Sequence, residues 1–179
     1  MELAASGYLY TIAMIAIAFA SLSVLIMIFN QVMGGHMTER HSFVSRQYLQ
    51  LGFMTTLGSI LPPLLALLDI PAAIDWRASS IVMAVILGGW ALTFPRRRHT
   101  ASPAKIPKPV ASLVITLGLA AVALAINAVI APVERMAGIY AAAVTVILIC
   151  AGMMFLYSLI SLYEPPRDSK RPKQKSPKT

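Results

Sequence analysis

The side chains best suited to chemistry in this sequence are few, and the densest group is His36, Glu39 and His41. Imidazole and carboxylate at close spacing suggest a metal centre. On a helix, however, offsets of three and five from His36 do not bring all three to one face, and neither a fourth ligand nor the HExxH spacing is present. The plainer reading is a polar elbow at the lipid headgroups, with Arg40 and Arg46 beside phosphates. Ser21, Ser23, Ser59, Ser158 and Ser161 have no histidine or acid at the same depth to activate them as nucleophiles. Cys150 is the single cysteine, so neither a disulfide nor a cysteine metal cluster can form within one chain. The phosphate-cradling loops GxGxxG and GxxxxGK[ST] are both missing. No catalytic, cofactor or metal site is expected, and the chain does not read as an enzyme.

Three other features need placing. Asn127 stands alone as a strong polar group in a long apolar run, where it would seek a hydrogen bond on a neighbouring helix or contact a solute. Pro62 and Pro63 remove two backbone donors from another run, so they either bend a helix or open carbonyls to a substrate. Packing and bending are the preferred readings of both. Basic residues form two groups, Arg96, Arg97 and Arg98 in one and Lys170, Arg171 and Lys173 within a lysine-proline tail in the other. Such groups attract anionic lipid headgroups and also set membrane orientation. A pI near 10 raises the question of nucleic acid, but the basic segments lack interleaved aromatics or a binding motif, so no nucleic-acid partner is expected.

The elements that would carry these residues follow from composition. The chain is 58% hydrophobic and 12% charged, with a mean hydropathy of +0.73, where soluble domains carry roughly a quarter charged residues. Apolar stretches cover residues 7–29, 48–68, 78–94, 110–131 and 136–162. In lipid each backbone polar group must be satisfied within its own segment, which selects helix. The expected fold is therefore all-α: a polytopic bundle of five transmembrane helices. The first stretch, 23 residues long, reaches ~34 Å at 1.5 Å per residue, enough for a hydrocarbon core of ~30 Å. It is longer than a signal-peptide core and has no preceding Lys or Arg, so it reads as a retained helix. The third stretch has only 17 residues before Pro95, at the short end of the spanning range.

Five spans put thirteen of the fifteen Lys and Arg residues on one side, leaving Arg77 and Arg135 on the other with Asp69, Asp75 and Glu134. By the positive-inside rule the N-terminus is outside and the C-terminus in the cytoplasm. On this reading no span contains an ionisable residue, which argues against proton-coupled transport. Residues at four-residue spacing suit close helix packing: Ala16 and Ala20, Thr55 and Ser59, Ala84 and Gly88, Ala121 and Ala125, Gly138 and Ala142. Between the first two spans, Gly34 and Gly35 break the pattern and Thr38 with Glu39 caps a helix running into the second. Residues 164–179 combine prolines with lysines and no apolar side chain, and are expected to be a disordered basic cytoplasmic tail.

The segment carrying His41, Arg46, Gly52, Leu61, Pro62, Leu64 and Leu65 resembles a group of small multi-pass bacterial inner-membrane proteins with no assigned activity. The resemblance covers about the first two helices and implies an inner-membrane setting without a mechanism. The function expected is that of an accessory, scaffolding or regulatory membrane component, the alternative being an oligomeric small-solute channel or transporter lined by Pro62, Pro63 and Asn127. Expected partners are membrane lipids, anionic headgroups at the cytoplasmic face, and a protein partner or a second copy of the chain. Reporter fusions should place residues near Arg97 and Lys175 in one compartment and residues near Arg135 in the other. Opposite compartments for Arg97 and Lys175 overturn the topology.

Overall fold

The computed structural model describes residues 5–32, 39–101 and 108–163, and among these the fold is wholly helical. Five helices follow in order: α1 (Ser6–Val32), α2 (Glu39–Ala66), α3 (Ala72–Ala101), α4 (Lys108–Val129) and α5 (Val133–Tyr163). Each is long and apolar enough to cross a membrane. His36 and Thr38, expected in an elbow, and residues 164–179 with Lys170, Arg171 and Lys173, expected to be a disordered tail, lie outside the described residues.

Short turns set two of the connections. At the end of α2 the last turn tightens to bonds from Leu67, Leu68 and Asp69 back to Leu64, Leu65 and Ala66 at 3.0–3.3 Å. Asp69 then adopts φ 54°, a left-handed conformation that Asp tolerates better than bulky residues and that commonly ends a helix. Pro71 opens α3 by accepting from the amides of Ile74 and Asp75 at 2.8 and 3.1 Å. Pro132 does the same for Arg135 at the start of α5, at 2.9 Å. A proline here wastes no helical donor, since the first-turn amides have no intrahelical acceptor.

The helices pair as two hairpins, α1 with α2 and α3 with α4, and α5 touches all four of the others. Half of the apolar segment of α5 is buried, against 22% for α1, which lies at the margin. Leu87, Leu117, Leu124, Val144 and Ile147 are wholly enclosed. The surface inverts the pattern of a soluble protein. Leu92, Ile115, Leu119, Ile149 and Ile160 are exposed, while Ser59, Asp75, Ser79, Ser80 and Asn127 are buried. So much continuous apolar exposure would drive association in water, whereas in a bilayer it is the solvent-matched face.

The third helix differs most from its sequence reading. Its thirty residues begin before Asp75 and continue through Pro95, so it is not short. The segment of α3 apolar enough to cross a membrane runs over Ala72–His99. Asp75 and Arg77 therefore belong to the helix and not to an outer loop, and an acid stands within an apolar segment where none was expected. Helix α2 also passes through its prolines and ends at Ala66.

Candidate functional site

Polar side chains gather at the two ends of the bundle, and the first group starts from a missing donor. Pro62 has no N–H, so the carbonyl of Gly58 loses its helical partner. The Tyr140 hydroxyl of α5 donates to that carbonyl at 2.6 Å. Tyr140 is fully enclosed, and its ring lies 5.5 Å from that of Trp76 on α3, centroid to centroid. The carbonyl that Pro62 orphans in α2 is thus held by a side chain of α5, three helices further along the chain. Pro62 and Pro63 are both buried in this seam.

Asn127 sits beside it and joins three helices. Its amide donates to the Ser80 hydroxyl of α3 at 2.9 Å and to the Met136 carbonyl of α5 at 3.2 Å. Asp75, one residue before Trp76, is fully buried and accepts at Oδ1 from the Ser79 hydroxyl at 3.3 Å. Two acceptors in this region, Asp75 Oδ2 and Asn127 Oδ1, are buried with no partner among the described residues. Asp75 is the functional candidate that sequence reasoning left in a loop. The signal that finds it is Pro71 followed by an acid four residues on, the pattern of a helix N-terminus with negative charge in its first turn.

The second group lies at the arginine end. Gln50 of α2 accepts through Oε1 from the indole N–H of Trp90 and from Arg97 Nη1, both at 3.3 Å. Arg97 Nη2 donates to the Trp90 carbonyl at 3.2 Å and to the Thr93 hydroxyl at 2.6 Å. The Arg97 guanidinium carbon stands 5.9 Å from the centre of the Trp90 ring, within cation–π range. These contacts lie on either side of Pro95, through which α3 runs on where a break was expected. Arg96 is exposed at the same end and Arg98 is buried.

The small-residue pairs divide. A Cβ on Gly52 would meet Ala20 Cβ at 3.7 Å and the Ala16 carbonyl at 3.8 Å, so this pairing closes α1 on α2. A Cβ on Gly88 would lie 3.9 Å from Ala121, drawing α3 to α4. Thr55 and Ser59 instead bond back to carbonyls of their own helix, those of Leu51 and Thr55. Ala125, Gly138 and Ala142 face outward. Among the described residues no three His, Cys, Asp or Glu side chains come together as a metal site.

Comparison of the sequence with known protein families and curated proteins, and of the fold with solved structures, finds no match. The reading therefore rests on the chain's own geometry. Replacing Tyr140 with Phe leaves the Gly58 carbonyl buried and unpaired, which should lower stability to denaturation in detergent by about 1–3 kcal/mol. Pro62→Ala restores the helical donor, so in that background Tyr140→Phe should cost less than half as much. An equal cost in both backgrounds refutes the link between the proline and the tyrosine.

Proposed function

We propose that the protein is a non-catalytic component of a membrane, acting as an accessory, scaffolding or regulatory subunit through lipid and protein contacts. The observation that carries this reading is how the bundle uses its polar side chains. Tyr140, Asn127 and Gln50 each tie two or more helices together, and Tyr8 joins α1 to α5 through a 2.8 Å hydrogen bond to Thr145. Chemistry spent on fixing helix positions makes a rigid platform. The resemblance of the first two helices and the charge distribution together support a bacterial inner membrane, with the N-terminus outside and the basic tail inside. Gly138 and Ala142, small and outward-facing on α5, suit close approach of another helix. Gentle extraction followed by native mass spectrometry should recover the chain with a protein partner or a second copy. Recovery solely as a monomer from several mild detergents contradicts the reading.

A second reading is favoured by one observation. Asp75 Oδ2 and Asn127 Oδ1 lie buried with no hydrogen-bond partner among the described residues, and intramembrane carboxylates commonly mark solute or ion paths. On that reading the oligomer conducts a small solute past Asn127. Flux into proteoliposomes should then fall when Asn127 becomes Leu, and the absence of flux for a broad panel of ions and small solutes removes it.

A further inference from the structure

A groove of about 930 Å³ opens between α2 and α3, near the upper end of the roughly 300–1,000 Å³ typical of small-molecule sites. Two helix faces build it. On α2 its lining residues are Gln50, Phe53, Met54 and Leu57, at offsets of three, four and seven; α3 presents Ile86, Trp90, Thr93 and Arg97 at offsets of four, seven and eleven. Because α2 and α3 are successive helices joined by a tight turn, they run in opposite directions. Gln50 accordingly meets Arg97 at one end of the groove, while Leu57 and Ile86 lie toward the other. The groove is thus polar and cationic at one end and apolar along the rest.

Its cationic end is built and held. Arg97 is fixed by Gln50, Thr93 and the Trp90 carbonyl, Arg96 lines the same mouth, and among the described residues no acid lines the groove. Guanidinium groups suit planar, multidentate contact with phosphate. Its apolar walls include Phe53 and Leu57, both exposed on the bilayer-matched surface, so the groove is open sideways to lipid. A free phosphate ion would use the arginines and leave the apolar length empty. A fully apolar ligand would bury nothing against the arginines. An amphiphile with an anionic head satisfies both ends.

We infer that this groove binds an anionic phospholipid from the leaflet at the arginine end, with the headgroup phosphate at Arg96 and Arg97 and one acyl chain along Phe53, Leu57 and Ile86. The inference rests on the protein being a membrane component, as proposed above, and does not depend on whether it has a protein partner. Trp90, buried in the wall, reports occupancy.

The test uses the full chain reconstituted in phosphatidylcholine vesicles containing a minor fraction of phosphatidylglycerol. Bromine is placed on the acyl chains of one lipid or the other, and Trp fluorescence is read in a Trp76→Phe variant. Brominated phosphatidylglycerol should quench Trp90 several-fold more than an equal mole fraction of brominated phosphatidylcholine. Arg96→Gln with Arg97→Gln should remove the difference. Since Trp76→Phe disturbs the contact with Tyr140, native mass spectrometry of the unaltered protein from the same mixture gives a second measure. It should show one retained phosphatidylglycerol per chain, lost in a Leu57→Trp variant that fills the groove and not displaced by excess inorganic phosphate. Equal quenching by both lipids, or displacement by phosphate, overturns the inference. Failure of the chain to reconstitute at all overturns the membrane reading beneath it.

Discussion

A buried peptide group out of reach of water must find its partner within the protein, and this bundle is organised around one such group. Pro62 deprives the Gly58 carbonyl of its donor, and leaving that buried oxygen bare would cost about 1–3 kcal/mol. The Tyr140 hydroxyl takes the place of the missing amide at 2.6 Å. For that oxygen to arrive, α5 must lie against the proline-bearing turn of α2, and Trp76 of α3 packs against the tyrosine ring. One lost hydrogen bond thus sets the relative positions of three helices. It also accounts for the central place of α5, the helix in contact with all the others.

The same economy runs through the remaining polar groups. Hydroxyls of Thr11, Ser23, Thr55, Thr56, Ser59, Thr93 and Thr116 each donate to the carbonyl four residues earlier in the same helix; Thr145 does so too while also meeting Tyr8 of α1. Side chains able to reach farther are used between helices. Asn127 draws α3, α4 and α5 together, and Gln50 joins α2 to Trp90 and Arg97 of α3. Aromatic pairs reinforce these seams, with Tyr48 and Phe155 at 5.7 Å between α2 and α5, and Phe19 and Phe155 at 5.9 Å between α1 and α5.

The number and class of the helices were legible from the apolar stretches, because a segment that must satisfy its own backbone announces itself by length and composition alone. The extent of α3 was not. A run counted between charges stops at Arg77 and at Pro95, whereas a helix stops where its backbone bonding stops, and the backbone of α3 stays helical from Ala72 through Pro95 to Ala101. Asp75 was misplaced for the same reason. Its burial depends on how the other helices pack against α3, a long-range fact that no local spacing encodes. Asn127 could be singled out as a group needing partners, but their identities, Ser80 and the Met136 carbonyl, required the register between helices. The groove between α2 and α3 was hidden too, since Gln50 and Phe53 acquire meaning only opposite Trp90 and Arg97.

The pairing of helices carries a consequence for biogenesis. Helices α1 with α2 and α3 with α4 are neighbours in sequence that pack closely, so each hairpin can close soon after leaving the ribosome. The hydroxyl that pairs the Gly58 carbonyl belongs to α5, the last of the five to be synthesised. Until then that carbonyl in the first hairpin lacks the donor it has in the finished fold. Maturation therefore ends in a clasping step, in which the final helix packs against both hairpins, already joined through Gln50, and supplies the missing donor.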